Sequence, residues 1–304
     1  MDIRFKPDFV PRNAVARACR WAVLSRILAR SRKPPIFRRE EEVINAVNKV
    51  IFLWRRRILQ FRELGWFKPN DKRFQYTRNC EPSIVSMKPS LIGGHHCMTC
   101  KMSDICPWCW CRDRVLEVYR RLQAVTVTLG APYEPNRPDG YPFKFALVKP
   151  GGTLERPPNP GCLFNLAESA VQAMKASTDG AELGTISLQS VYPIRNVFYY
   201  QAAVALVLPA DYPTREETHV VTTPSPRNLG RFVARMCSYP RGLLMGNAHR
   251  VIPILEARKG RRLLRTTGIF YRGMMREKLS KPVVLILQNE SSDLYKELIC
   301  QRCH

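Results

Sequence analysis

The chain has 304 residues, enough for one large or two modest domains, and its 45% hydrophobic and 24% charged residues are ordinary for a globular protein. Its charge is lopsided: 49 Lys and Arg against 25 Asp and Glu leave +24, a self-repulsion that a polyanionic partner relieves. No run of about eighteen apolar residues occurs, which excludes a membrane-spanning helix. Met1-Asp2-Ile3-Arg4 also lacks the apolar core of a secretory signal, which points to a reducing, cytoplasmic setting.

Residues 9–39 contain no acid. Within them Val15, Cys19, Val23, Ile27 and Leu28 recur at helical spacing with Arg17, Arg20, Arg26 and Arg30 between, predicting a basic amphipathic helix over 12–32. Pro34-Pro35 ends it. Such a segment suits a DNA-binding arm, and equally an organelle transit peptide, which leaves an organelle matrix as the alternative location. Glu40-Glu41-Glu42 opens a longer helix that carries Arg55-Arg56-Arg57 towards its end, the order the helix dipole favours. Val43, Val47, Val50, Trp54, Ile58 and Phe61 form its core stripe, and Gly65 stops it. The Arg triplet is a candidate phosphate-binding face. Residues 66–90 read as polar and irregular.

Five of the eleven cysteines then fall within fifteen residues, Cys97 to Cys111, just after His95 and His96. In a reduced chain such clustering means metal or thiol chemistry rather than disulfides. Cys97-x-x-Cys100 and Cys106-x-x-Cys109 have the knuckle spacing of a structural zinc site, in which four thiolates close the tetrahedron and leave no open position. Only five residues separate the two pairs, so Cys80, His95, His96 or Cys111 could replace one ligand. Cys300-x-x-Cys303 could supply the second pair from the far end of the chain. Trp108 and Trp110 could close the zinc turn or stack on unpaired bases.

Beyond the cluster, residues 112–122 predict a basic helix with Arg112, Arg114, Arg120 and Arg121 facing out as candidate nucleic-acid contacts. The alternating, β-branched run 124–129 predicts a strand, and 143–149 another. A helix over 165–176, paired strands over 184–192 and 199–208, and a helix over 227–237 follow, the second paired strand apolar enough to be central. Residues 250–272 read as basic and β-rich, with Arg261, Arg262 and Arg265 as further nucleic-acid contacts, and 283–287 as a last strand. No His-x-His, His-Glu-x-x-His, P-loop or Gly-x-Ser-x-Gly motif occurs, so the residues alone identify no active site.

The run Cys100-Lys-Met-Ser-Asp-Ile-Cys106-Pro-Trp-Cys109-Trp-Cys111-Arg112 resembles the cysteine-rich segment of plasmid rolling-circle replication initiators. Residues 184–209 are similar to that family's paired strands, and 231–239 with 260–270 to its tyrosine helix and closing basic strand. The resemblance, over about residues 95–275, implies an initiator-like core that binds DNA. Where the family's two metal-binding His stand, this chain has Gln201 and Ala203, and Tyr239 is the one candidate nucleophile. The chemistry implied for such a site is tyrosine-dependent nicking and joining of DNA with Mg or Mn; without the His pair, binding rather than nicking is expected.

These observations lead to four expected parts: a basic helical region (1–75), a Cys-rich zinc segment with its basic helix (76–123), an α+β antiparallel core (124–275) and a tail (276–304). The function expected is binding of single-stranded or hairpin DNA, with DNA preferred over RNA, by a zinc-containing initiator-like protein. The alternative is a structural zinc-knuckle protein of an RNA–protein assembly.

Overall fold

The structure is a computed structural model, and it describes residues 12–29, 39–80, 100, 102–129, 142–178, 182–213, 220–222, 226–258 and 264–270. The first helix is present as expected. Helix α1 (Arg12–Cys19) passes through a π-helical stretch (Arg20–Leu24) into α2 (Ser25–Leu28), with Val15, Cys19, Val23 and Ile27 buried. Helix α3 (Glu40–Glu63) also matches its sequence signals. The Arg39 amide donates to Glu42 Oε2 at 3.4 Å at its start, and Gly65 takes φ +76° just past its end, a conformation that glycine adopts without strain. Its whole predicted stripe, Val43 to Phe61, is buried.

Part of the stretch read as irregular is helical. Helix α4 (Lys72–Arg78) is capped by Asp71, whose Oδ1 accepts from the Arg73 amide at 2.9 Å. It is too short to show an apolar period; Phe74 packs edge-on against Phe67, and Trp54 Nε1 of α3 donates to the Thr77 carbonyl at 2.9 Å. Tertiary contacts hold it.

Helix α5 (Pro107–Trp110), a second π-helical stretch (Cys111–Leu116) and α6 (Glu117–Leu129) form one continuous run. The strand expected over 124–129 is therefore the end of a helix, and the boundary expected at 123/124 falls inside α6. The alternation of Val and Thr is real, but Val115, Val118, Leu122 and Val125 sit three or four apart and all are buried, and that period wins. Thr126 Oγ1 bonds back to the Leu122 carbonyl at 2.9 Å, which satisfies its hydroxyl inside the helix.

The sheet comprises β1 (Phe143–Val148), β2 (Gly151–Leu154), β3 (Gly184–Ile194), β4 (Val197–Pro209), β5 (Val220–Thr222) and β6 (Leu264–Gly268). Its order is β5-β1-β4-β3-β6, with β2 also on β4, and these pairings are antiparallel. Strands β3 and β4 form the expected hairpin, from Ile194↔Val197 at the turn to Gly184↔Val207, and β4 is central and buried from Ala202 to Leu208. Helix α7 (Pro160–Ser177) packs on β3 and β4, and α8 (Pro226–Met236) on β4 and β5. Helix α9 (Arg241–Met245) and α10 (Ala248–Arg258) lie against β3, so the first part of the region read as β-rich is helical, and only β6 is strand there among the described residues. The apolar period of Val251, Ile254 and Leu255, all buried, favours that helix despite Pro253. The architecture is α+β, as expected. One buried cluster joins α1, α3, the cysteine segment, the sheet and α8 to α10, running across residues 75/76 and 123/124. The strand expected at 283–287 lies outside the described residues.

Candidate metal centre and basic surface

Two turns and a proline-started helix bring four thiols together. Cys80 follows the end of α4, its amide donating to the Thr77 carbonyl at 3.4 Å. Cys106 caps α5, with its amide turned back to the Met102 carbonyl at 2.8 Å and its own carbonyl accepting from the Trp110 amide at 2.9 Å. Pro107 at the first helical position fixes that entry, and Cys109 projects from the same turn. Cys100 completes the group: the sulfurs of Cys80, Cys100, Cys106 and Cys109 all lie within 4.8 Å of one another.

Cys109 Sγ stands 3.6 Å from Cys80 Sγ and 3.5 Å from Cys100 Sγ. A disulfide would need about 2.0 Å. Sulfurs at the corners of a tetrahedron with metal bonds of about 2.3 Å stand about 3.8 Å apart. The geometry is that of a metal site, and the four cysteines could hold an ion. Their electrostatics agree. Hydrogen bonds from Cys100, Cys106 and Cys109 hold the Cys80 thiol far below its ordinary range, while burial pushes the Cys106 thiol up. The pocket therefore favours one thiolate and resists more until a cation enters. Burial works against the Arg112 cation, yet the Asp113 carboxylate 2.5 Å away and the sulfurs of Cys109 and Cys80 hold its pKa above the ordinary value. Four thiolates around a divalent ion carry a net −2, and Arg112 supplies a neighbouring positive charge.

Three of the four ligands first expected, Cys100, Cys106 and Cys109, belong to this group, and Cys80, an alternate, is the fourth member among the described residues. Cys97, His95, His96, Cys300 and Cys303 lie outside the described residues. Cys111, another alternate, is buried near Cys109 but is not one of the four: its thiol hydrogen-bonds with Cys19 and is pushed up by burial first and by that contact second.

The tryptophans of the segment are structural. Trp108 and Trp110 are 3% and 0% exposed, so neither offers a face to a base. Trp110 Nε1 donates to the Cys237 carbonyl at 2.8 Å and its ring meets Tyr239 edge-on at 5.5 Å. Tyr239, the candidate nucleophile, is 2% exposed, with its hydroxyl donating to the Ile105 carbonyl. Burial raises its pKa well above the ordinary phenol value. A phosphodiester has no access to it. The structure instead uses Tyr239 to bind the knuckle to the chain after α8. Of the positions matched to the family's His pair, Gln201 is half-buried on β4 and Ala203 is buried.

The candidate nucleic-acid residues divide. Arg57 is 2% exposed and donates to the Leu244 carbonyl through Nε at 3.0 Å and Nη2 at 2.6 Å, and to Gly246, closing the end of α9. Burial lowers it to about 10. It is a core residue. Arg114 pairs with Asp104 at 3.3 Å, Arg121 with Glu117 at 2.6 Å and Arg265 with Glu168 at 3.1 Å, while Arg120 is half-buried. Arg261 and Arg262 lie outside the described residues. Arg55 and Arg56 are exposed, with no ion pair among the described residues.

A second basic group was not foreseen. Lys149, at the end of β1, donates to the Arg235 carbonyl at the end of α8. Burial pushes Lys149 down to about 8, and the charges of Arg26 and Arg235 push the same way. Both arginines are exposed; Cys237 acts in the opposite direction, and among the described residues no carboxylate acts on Lys149. These cations come from residues far apart in sequence, so no local pattern announced them. No protein-family model, curated protein or solved structure matches the chain.

Proposed function

We propose that this is a nucleic-acid-binding protein in which zinc, held by Cys80, Cys100, Cys106 and Cys109, braces the fold, and that it prefers single-stranded or hairpin DNA to RNA. The observation that carries the binding is Lys149, which donates to the Arg235 carbonyl and feels the charges of Arg26 and Arg235, with no carboxylate acting on it among the described residues; a polyanion there offsets the cost to its charged form. Zinc is the ion that suits a closed set of four thiols. The preference for DNA rests on the resemblance to rolling-circle initiators. In its support, the residues that carry the resemblance form the paired strands β3 and β4 and, after β5, helix α8. The burial of Tyr239 and the absence of His at 201 and 203 speak for binding without nicking.

Fluorescence anisotropy with one sequence as single-stranded DNA, hairpin DNA and RNA tests this. Affinity for DNA should fall steeply between about 50 and about 200 mM salt as counterions are released. Binding that ignores salt, or no binding, overturns the proposal. Tighter binding to RNA favours the structural role in an RNA–protein assembly.

A further inference from the structure

Helix α3 turns an unusual face to solvent. Phe52 sits at its middle and is 66% exposed, the most exposed of the large hydrophobic side chains among the described residues. One turn to either side are Asn48, Lys49, Arg55 and Arg56, at i−4, i−3, i+3 and i+4, and all four are exposed. From Val43 to Arg62 the helix has no acid, although both its ends are acidic. The opposite side is the buried stripe that ends at Phe61, so Phe52 does not serve the core. An apolar ring left in water and surrounded by three cations matches neither an inert solvated face, which would be polar, nor a purely apolar docking face, which would lack the charge.

We propose that this face of α3, from Asn45 to Leu59, is where an unpaired nucleic-acid strand lies, with a base stacked on Phe52 and phosphates on Lys49, Arg55 and Arg56. The chemistry fits a single strand better than a duplex, because a flat ring recognises a base only when the base is free to leave its stack, while guanidinium and ammonium groups on either side meet the backbone. The inference rests on the nucleic-acid reading and deepens it: the Lys149, Arg26 and Arg235 group attracts a polyanion of any form, whereas α3 selects one with unstacked bases. It also moves the stacking role from Trp108 and Trp110, which are buried, to a ring that is not.

The test compares the full chain with Phe52→Ala and with Arg55→Gln/Arg56→Gln, using a labelled oligothymidine strand and a duplex of equal length. Phe52→Ala should weaken single-strand binding about tenfold and leave duplex binding within about twofold. The double Arg variant should weaken both and flatten the salt dependence. Because these side chains are exposed, metal content and melting temperature should not change. If the unmodified chain binds strand and duplex but Phe52→Ala binds the strand equally well, this inference falls and the nucleic-acid reading stands. No binding by the unmodified chain overturns both. A dimer in sedimentation that Phe52→Ala dissociates assigns the face to a second copy instead, and overturns the inference.

Discussion

Cys80 and Cys111 show how little a residue's own type says about its task. Both are buried thiols close in space to Cys109, yet Cys80 faces three sulfurs and Cys111 faces Cys19. On the zinc reading proposed above, Cys80→Ser should therefore abolish stoichiometric metal in the purified chain and lower its melting temperature sharply, because a structural metal site lends its binding energy to folding. Cys111→Ser should keep the zinc. Equal metal loss in the two variants would refute the assignment. Tyr239 offers a second comparison. Tyr239→Phe removes the hydroxyl donated to the Ile105 carbonyl, and should cost about 1–2 kcal/mol of stability in chemical denaturation. Nucleic-acid affinity at a temperature where the variant is folded should be unchanged; a variant that binds less tightly while fully folded would put Tyr239 at the binding surface after all.

Elements are held to one another by close approaches that tolerate no extra atom. At Gly242 in α9, a Cβ would lie 2.6 Å from the Pro193 carbonyl oxygen and 3.1 Å from the Tyr192 ring, both on β3. Gly242→Ala should push α9 off the sheet and destabilise the chain by about 2 kcal/mol. Gly152 on β2 has nothing within 4 Å of its would-be Cβ, so Gly152→Ala should change stability by less than about 0.5 kcal/mol. Paired thermal melts of the two variants check the contrast. The same tight seam explains Arg57, whose guanidinium ties α3 to the carbonyls that end α9. Arg55, Arg56 and Arg57 are consecutive, but a helix turns about 100° per residue, so one of a triplet can point inward while its neighbours face water.

At the scale of the whole molecule, the buried cluster runs from α1 through the cysteine segment to the sheet without interruption, so removing the proposed metal with a chelator should loosen more than the knuckle. Charge works at this scale too. Lys149 sits at about 8 where 10.5 is ordinary, so its charged form is disfavoured in the folded chain. That penalty is fully present below pH about 8 and fades as the pH rises towards 10.5. A polyanion seated on Arg26 and Arg235 favours the charged lysine and raises its pKa again. Binding should then take up a proton between these two values, leaving affinity flat below pH about 8 and falling above it. Calorimetry at pH about 9 in two buffers of different ionisation heat reads that uptake directly. Lys149→Gln should abolish it.

Much of the fold was legible in the chain because it is written locally. The stripe and acidic start of α3, the apolar run of β4, its pairing with β3, and the clustered cysteines all follow from period, composition and spacing. Helix α6 was misread where Val and Thr alternate, because burial of Leu122 and Val125 on one helical side outweighed their preference for strands. Helix α4 was missed because a cap and two tertiary contacts, not a period, stabilise its seven residues. The sequence by itself determined that thiols and cations would dominate this protein: eleven cysteines and a charge of +24 do not depend on folding. Only the tertiary structure decided which of them meet. It brought Cys80 to Cys109 and Lys149 to Arg235, and it turned Arg57 and Tyr239 inward, because distance in space is set by packing rather than by separation along the chain.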